Sequence, residues 1–334
     1  VRDVAFSGDR AYVAAGPLGV RILDVGSGAG WTPISHAALG SDARGVTVEG
    51  RIAYVADGSA GLRIVDVTDP RALIELGRLD TPGTATAVEV AGGRAYVADG
   101  ASGLRVVSVI TPTAPIALGA VDTPAEATSL ALGAGFAVVA DGASGIQVVD
   151  LADPSKPRIV AALDTPGACA DVVLERATSR AYVADGSEGV RIVDLANPSA
   201  PRDEGAIDIG GVAQAVALRS GRLYVADLDG GVVVVELPAE GEPRVIGSID
   251  LPGQVHDVSA MGVAPAGPAR ALAVGWSEGV TGWDLASPRA PVRAWRLPTP
   301  GRANSVALRD DLALVADLEA GLQIVDVSER TGPR

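Results

Sequence analysis

Three observations predict an all-β fold, namely an eight-bladed β-propeller of four-stranded antiparallel blades. A block reading Ala-Tyr-Val-Ala-Asp-Gly and, after a few small residues, Leu-Arg-Ile-Val-Asp recurs about every 42 residues, and its clearest copy is Ala53–Asp66. Short runs rich in β-branched residues alternate with turn-forming Gly, Asp and Pro. No long segment has the 3.6-residue periodicity of a capped helix. Repeats of about 40–45 residues with four strands are typical of propeller blades.

The second repeat illustrates how each blade divides into four strands, named A to D. These strands are predicted at residues 45–48, 52–56, 62–67 and 73–79. Turn signals separate them, among them Asp57-Gly58 between strands B and C and Asp80-Thr81-Pro82-Gly83 after strand D. In an antiparallel blade the B–C turn and the D–A connection lie at one end of the sheet, and the A–B and C–D turns lie at the other.

The number of blades is predicted from the residue that precedes each B–C turn. The equivalent residues are Ala15, Asp57, Asp99, Asp141, Asp185, Asp227, Gly275 and Asp317, with spacings of 42, 42, 42, 44, 42, 48 and 42 residues. Eight such turns predict one propeller domain over residues 1–334. The approximate blades are 1–41, 42–83, 84–125, 126–167, 168–211, 212–253, 254–301 and 302–334.

The last repeat ends without a recognisable strand D. Its strand C is predicted at Leu322–Val327, and the chain stops at Arg334. The last blade is therefore expected to lack its outer strand within this chain: either the strand lies outside the sequence, on either side, or the blade has three strands. Because an unpaired sheet edge invites pairing with another edge, self-association through this incomplete blade is a further hypothesis.

Composition and charge exclude several classes of partner. The net charge of −14 would repel a phosphate backbone, so nucleic acid is not an expected partner. No run of 18 uncharged apolar residues is present, so no transmembrane segment is expected. Cys169 is the single cysteine of the sequence, which excludes an intrachain disulfide and a cysteine-based zinc site. Such low cysteine content is compatible with an oxidising compartment.

Four copies of the strand C motif resemble the LVIVD repeat of bacterial and archaeal surface or secreted proteins. They are Arg63-Ile64-Val65-Asp66, Val148-Val149-Asp150, Arg191-Ile192-Val193-Asp194 and Ile324-Val325-Asp326. The segments at residues 232–236 and 280–284 depart from the motif. The resemblance covers essentially the whole chain, and it implies a propeller in an extracellular or cell-surface setting. It supplies no catalytic residues.

Two sets of aspartates are expected at the end of the blades that carries the B–C turns. The first set precedes these turns, and the second follows strand D as Asp80, Asp122, Asp164, Asp208 and Asp250. Their carboxylates are potential oxygen ligands for a divalent cation. The favoured interpretation is that an Asp before Gly closes a tight turn by accepting backbone hydrogen bonds, so no metal site is assigned. This end should be acidic, and the opposite end mixed to basic, a field that would orient an approaching partner.

Variation between repeats predicts a ligand-binding site. The position at the start of strand A reads Arg2, Arg44, Thr86, Thr128, Ala170, Gln214, His256 and Asn304. Because strand A is innermost in a propeller, these side chains are expected at the mouth of the central channel. A ring of differing polar groups at a concave mouth is typical of ligand sites. A strand start that is merely near water would also tolerate such residues.

The seventh repeat differs most from the others. Trp276 replaces the glycine of its B–C turn and is expected to project close to His256, as an anchor for a sugar or a protein. Trp283 and Trp295 belong to the same repeat, where they could instead fill space left by smaller neighbours.

These observations favour a non-catalytic binding or scaffold propeller. The partner is expected to be a protein or a glycan that contacts the channel mouth and the end with the B–C turns. No nucleophile–base pair, phosphate loop or histidine cluster is recognisable, so no catalytic residue and no cofactor is predicted. Two alternatives stay open: a metal-assisted hydrolase or lyase acting at the channel mouth through His256, and a structural, self-assembling surface component.

Overall fold

The computed structural model describes most of the chain. It covers residues 3–7, 10–14, 16–17, 19–24, 32–39, 41–219, 221–228, 231–238, 241–249, 255–261, 270–275, 279–284, 292–309, 312–317 and 320–327. The chain divides into two compact units. The first unit is Val1–Asp164 with Asn197–Pro201, and the second is Thr165–Ala196 with Arg202–Arg334.

The described part of the first unit contains sixteen strands. They are β1 (Asp3–Ser7), β2 (Arg10–Ala14), β3 (Val20–Asp24), β4 (Thr32–Ala37), β5 (Gly45–Glu49), β6 (Ile52–Ala56), β7 (Leu62–Asp66), β8 (Ile74–Leu79), β9 (Ala87–Ala91), β10 (Arg94–Ala98), β11 (Leu104–Ser108), β12 (Ile116–Val121), β13 (Ser129–Leu132), β14 (Phe136–Ala140), β15 (Ile146–Asp150) and β16 (Arg158–Leu163).

The second unit contains fifteen strands among the described residues. They are β17 (Asp171–Glu175), β18 (Arg180–Ala184), β19 (Val190–Asp194), β20 (Arg202–Ile207), β21 (Ala213–Arg219), β22 (Arg222–Asp227), β23 (Gly231–Glu236), β24 (Arg244–Ile249), β25 (Val255–Met261), β26 (Arg270–Gly275), β27 (Gly279–Asp284), β28 (Val292–Leu297), β29 (Ala303–Arg309), β30 (Leu312–Asp317) and β31 (Gly321–Asp326). No helix in the described ranges is long and apolar enough to span a bilayer.

The strands form antiparallel sheets in chain order, as the sequence predicts, but the predicted number of blades is wrong. Seven sheets have four strands, β1–β4 through β25–β28, and are named blades 1 to 7. The described residues therefore form seven complete blades, not eight. The eighth B–C turn, at Asp317, belongs to a three-stranded sheet, β29–β31, named the C-terminal sheet. The count failed because it registered B–C turns, and a sheet can contain this turn without a fourth strand.

Strands B and C are the buried layers of each blade. In blade 2, every residue of β6 after Ile52 is buried, and so is every residue of β7 before Asp66. Strands covered on both faces need nearly continuous apolar runs in place of alternating ones, and Ala-Tyr-Val-Ala supplies one. Leu-Arg-Ile-Val is interrupted by the buried Arg63, which lies 3.4 Å from Asp57. Strand D is largely exposed, and β8 is half-buried or exposed at every position.

Neighbouring blades within a unit are joined by a repeated backbone contact. The glycine of one B–C turn pairs with a residue at the entry to strand A of the next blade, two positions before the strand in the first unit and at its first residue in the second. In the first unit, the Ala85 amide donates to the Gly58 carbonyl over 2.9 Å, and the Ala127 amide donates to Gly100 over 3.0 Å. In the second unit, the Ala213 amide donates to Gly186 over 2.8 Å. Because these glycines have positive φ, the turn reaches the next blade without a side-chain clash.

The C-terminal sheet exposes its third strand more than the blades do. In β31, Leu322 and Ile324 are half-buried, whereas their blade 2 counterparts, Leu62 and Ile64, are fully buried. The difference follows from the lack of a fourth strand among the described residues of this sheet, since strand D covers strand C in each of the seven blades. The prediction of a single domain over 1–334 stays a prediction.

Candidate functional site

The aspartate before the B–C turn is a buried hydrogen-bond acceptor, best seen in blade 3. Asp99 is fully buried and receives three interactions. The Thr81 hydroxyl donates to Oδ1 over 2.5 Å, the Gly83 amide donates to Oδ2 over 3.0 Å, and Arg105 Nε lies 3.4 Å from Oδ2. Thr81 and Gly83 belong to the connector between β8 and β9, so one carboxylate joins this connector to the B–C turn and to strand C.

The same arrangement recurs in both units. In blade 5, Asp185 accepts from the Thr165 hydroxyl over 2.6 Å and from the Gly167 amide over 3.2 Å. In the C-terminal sheet, Asp317 accepts from the Thr299 hydroxyl over 3.1 Å and from an amide over 2.9 Å. Blade 4 changes one partner, because Gln147 replaces the arginine and its Nε2 donates to Asp141 over 3.2 Å. These aspartates therefore have an architectural role.

The carboxylates of these aspartates are used within the blade, so this set does not supply exposed negative charge at the end that carries the B–C turns. The favoured interpretation, that each Asp accepts hydrogen bonds from backbone amides, is confirmed for Asp99, Asp185 and Asp317. The donors belong mainly to the D–A connector, which sequence spacing alone does not indicate. Within the described ranges, no group of three or more His, Cys, Asp or Glu side chains is suited to holding a metal ion.

The second set of aspartates, by contrast, is exposed. In the first unit, Asp80 and Asp122 each have 78% of the side chain exposed, and Asp164 and Glu126 are exposed as well. All four lie in the connectors between blades, at the end named here the connector end. Arg63 and Arg105 contact two of these carboxylates but are themselves mostly buried. Asp250 lies outside the described residues. The connector end of the first unit is thus acidic, as expected from the sequence.

The opposite end of the first unit is mixed in charge. Arg51, Arg71 and Lys156 are exposed there, as predicted. Carboxylates accompany them, since Asp66 and Asp150 each accept a backbone amide two residues on. Hydrogen bonds from Thr68 hold the pKa of Asp66 below its usual value.

The predicted row at the start of strand A has two kinds of members in the first unit. Thr86 and Thr128 use their hydroxyls on backbone carbonyls: Thr86 donates to Ala98 and Ala127 over 3.1 and 3.0 Å, and Thr128 donates to Ala140 over 3.2 Å. Arg44 is 39% exposed in its side chain and forms an ion pair with Asp42 over 3.1 Å. Among the described row members of this unit, Arg44 is therefore the one whose charge faces solvent.

In blades 6 and 7 and the C-terminal sheet, the row coincides with breaks in strand register. Gln214 and Asn304 are the residues at which strand A shifts against strand B, and both are half-buried. His256 has the same backbone position in β25. Its side chain, like all of Arg2 and Trp276, lies outside the described residues. The ring of eight positions therefore stays a prediction.

The described tryptophans of blade 7 fill space. An added Cβ on Gly282 would lie only 2.2 Å from Trp295 Cε2, so the indole occupies the place of a strand C side chain. Trp283 is buried, and its Nε1 donates to the Thr281 hydroxyl over 3.1 Å. It packs against blade 6 residues such as Tyr224 and Ile246.

Blade 5 contains a polar cluster that the sequence reasoning missed. Arg180 contacts Glu204 through Nε and a terminal nitrogen at 2.7 and 3.3 Å, and the Tyr182 hydroxyl donates to Glu175 over 3.2 Å. Burial, together with the Glu175 carboxylate, raises the pKa of Tyr182 well above its usual value. The available signal was the 44-residue spacing, which reflects a longer A–B turn. In that turn, Ser179 has a φ of 58°, the sole positive value for a non-glycine among the described residues.

The four-stranded antiparallel blades, packed in chain order, define a β-propeller. A match to a family model identifies the type of repeat from which these blades are built. The LVIVD repeat matches residues 1–28, 40–81, 82–123, 124–165, 180–208, 210–250 and 300–334. The chain belongs to the LVIVD-repeat family. Blade 7 is the one complete blade whose described strands all lie outside the matched ranges. No curated protein was found to match the chain by sequence.

Solved structures share the fold at low sequence identity. Sqt1 of Saccharomyces cerevisiae is 9% identical with a TM-score of 0.79, over 98% of this chain and 96% of that one. Sqt1 of Chaetomium thermophilum, solved bound to the N-terminus of the ribosomal protein L10, is 12% identical with a TM-score of 0.75, over 97% and 95%. BamB of Moraxella catarrhalis is 13% identical with a TM-score of 0.70, over 97% and 93%. At these identities the likeness concerns the fold alone.

Proposed function

We propose that this protein is a non-catalytic binding propeller at the cell surface or outside the cell, and that its connector end captures a basic segment of a protein partner. One observation carries the proposal: the repeated aspartates of the B–C turns are buried in the architecture, whereas the aspartates of the connectors are presented to solvent. Asp80, Asp122 and Asp164 follow strand D in three consecutive blades. Arg63 and Arg105 contact two of these carboxylates, but most of each carboxylate stays exposed to a partner.

Electrostatics supports the choice of a basic partner. The chain has a net charge of −14, so cationic segments are attracted from a distance and anionic ones are repelled. At the connector end, Arg78 is exposed two residues before Asp80, and Arg44 is paired with Asp42, so these two arginines are outnumbered by the four exposed carboxylates. Lysine and arginine side chains of a partner would meet several carboxylates together, which makes binding sensitive to salt.

The setting and the mode of action rest on similarity. The strand C motifs resemble the LVIVD repeat of bacterial and archaeal surface or secreted proteins, which supports an extracellular or cell-surface location. The fold is also used by Sqt1, a protein solved with the N-terminal segment of another protein. That likeness supports peptide capture by a propeller as a reasonable mode of action, and it does not identify the partner.

The test compares two triple variants with the same change in net charge. Asp80→Asn, Asp122→Asn and Asp164→Asn neutralise the connector end of the first unit. Glu49→Gln, Asp69→Asn and Asp153→Asn, also exposed, neutralise the opposite end. Binding of labelled Lys/Arg-rich and Asp/Glu-rich peptides of matched length is followed by fluorescence anisotropy at several salt concentrations.

The connector-end variant is expected to bind the basic peptides about tenfold more weakly or worse, while the opposite-end variant changes little. Equal weakening by both variants would mean that only the overall charge matters, and the proposed surface would be wrong. If the protein bound an arrayed glycan more tightly than any of the peptides, the result would also contradict the proposed surface and would favour the glycan alternative.

A further inference from the structure

The seven D strands form unpaired sheet edges, and six of them have residues that discourage pairing with another strand. Natural sheets protect such edges with charged side chains or proline. The six are β4 with Pro33, β8 with Glu75 and Arg78, β16 with Arg158, β20 with Arg202, Asp203 and Glu204, β24 with Arg244, and β28 with Arg293 and Arg296.

The remaining strand is β12 of blade 3, which reads Ile-Ala-Leu-Gly-Ala-Val and contains neither a charge nor a proline. Ile116 is 61% exposed, and Ala117 and Ala120 are exposed as well. Ile110, in the turn just before the strand, is 75% exposed. An uncharged, apolar edge on a chain with a net charge of −14 is a surface on which another strand can pair.

Comparison with blade 2 isolates the difference. Strands β8 and β12 have the same register, the same break beside strand C and the same glycine. They differ where Glu75 and Arg78 of β8 correspond to Ala117 and Ala120 of β12. The shared break, which directs Leu118 toward the core, therefore does not distinguish the two edges. The absence of charge does.

The sequence of β12 is complementary to itself. In an antiparallel pair of two copies centred on Gly119, with Leu118 of each copy bulged out of the ladder, Ile116 of one copy faces Val121 of the other, and Ala117 faces Ala120. Large β-branched residues meet each other at the ends, and small residues meet in the middle, the pairing that stabilises antiparallel strands. The segments on the two sides of Leu118 supply the hydrogen-bonding groups.

We propose that β12 is the interface of a homodimer, in which two copies of this chain pair their blade 3 edges antiparallel about a two-fold axis. A second copy is the occupant that the observations favour, because the strand pattern matches its own reverse and an isologous contact closes at two copies. The connector end is not used in this contact, so the dimer would present two binding surfaces. The inference does not depend on the proposed function.

Charge substitution at the paired alanines tests the geometry. Ala117→Lys with Ala120→Lys sets lysines against lysines in the dimer, and Ala117→Glu with Ala120→Glu sets glutamates against glutamates. Sedimentation velocity over a wide concentration range should show a doubling of mass for the parent chain. Each charged variant should show at least about a tenfold weaker association. An equimolar mixture of the two variants should associate again, because each lysine then faces a glutamate.

The matched control is Ala162→Lys, the equivalent exposed position of β16 in blade 4, which should leave association unchanged. Circular dichroism and thermal melting of each variant separate loss of pairing from loss of folding. A parent chain that stays monomeric at every concentration overturns the proposal. So does association that survives the double lysine variant, or a mixture that fails to recover, since both place the contact elsewhere.

Discussion

Blades 3 and 7 have the same four-strand plan but fill it differently. In blade 3, Val106 of strand C lies opposite Gly119 of strand D, and the next blade's C–D turn packs over the glycine, so that an added Cβ would lie 2.4 Å from Pro157. In blade 7, Gly282 of strand C lies opposite Trp295 of strand D. The large and the small residue have exchanged strands.

The B–C turns of the two blades differ in the same sense. Blade 3 has the buried Asp99 at this turn, whereas blade 7 has Gly275. Blade 7 thus replaces a hydrogen-bonded carboxylate and a β-branched core with glycine and tryptophan. The comparison teaches that a blade tolerates a changed sequence as long as the volume between its strands is filled. Repeated polar residues therefore report on architecture before they report on ligand binding.

The largest expected effect comes from removing the Asp99 carboxylate from blade 3, because blade 7 has no carboxylate at the equivalent position. Asp99→Ala would leave the Thr81 hydroxyl, the Gly83 amide and the Arg105 Nε without their acceptor in a buried setting. Removing one partner of such a set is expected to lower the free energy of unfolding by about 3 kcal/mol. Urea unfolding followed by circular dichroism measures this loss. A change below about 1 kcal/mol would contradict the architectural role of Asp99.

The exchange between strands C and D gives the next effect. Gly282→Val would place methyl groups where the Trp295 ring lies, and overpacking of this kind should lower the free energy of unfolding by about 2 kcal/mol. Adding Trp295→Gly restores the arrangement of the other blades and should recover part of that loss. The double-mutant cycle measures the coupling. Strictly additive losses would mean that the two positions do not share space.

At alkaline pH, blade 5 should destabilise the fold through Tyr182. Blade 7 has Leu272 at the equivalent position and cannot contribute this effect. The pKa of Tyr182 is raised in the folded chain, so the unfolded chain loses this proton first, near the ordinary value of 10.0. The folded state then holds more protons, and stability falls as pH rises above 10, by up to about 1.4 kcal/mol per pH unit from this group. Urea titrations between pH 8 and 11 should show a shallower fall for Tyr182→Phe. A slope unchanged by Tyr182→Phe would contradict this assignment.

The smallest effect is expected at the exposed counterpart of Asp99. Asp122→Ala removes a carboxylate that lies 3.0 Å from Arg105 but is 78% exposed. Exposed ion pairs contribute about 0.5 kcal/mol or less and are weakened by salt. Urea unfolding should therefore place Asp122→Ala close to the parent chain, and still closer in 1 M NaCl. A loss as large as that of Asp99→Ala would remove the distinction between architectural and exposed aspartates.

Much of the fold follows from the sequence alone. The repeat of Asp57 and its equivalents indicated antiparallel four-stranded units, because strands covered on both faces need the same short apolar runs each time. The acidic connectors were also readable, since charged residues between strands are exposed by default. Chain spacing likewise located the unusual seventh repeat. These features depend on local sequence and on period, which a single chain displays.

Tertiary structure decided what the polar residues do. Asp99 and Asp122 look alike in sequence, yet one is buried beneath a connector and the other faces solvent, because only packing brings Thr81 and Gly83 to the first. The count of eight blades failed for a related reason: a B–C turn is a local signal, whereas a complete blade needs a strand that the local signal does not contain. The sequence determined the repeating unit. Packing between neighbouring repeats determined which of the charged side chains are exposed to another molecule.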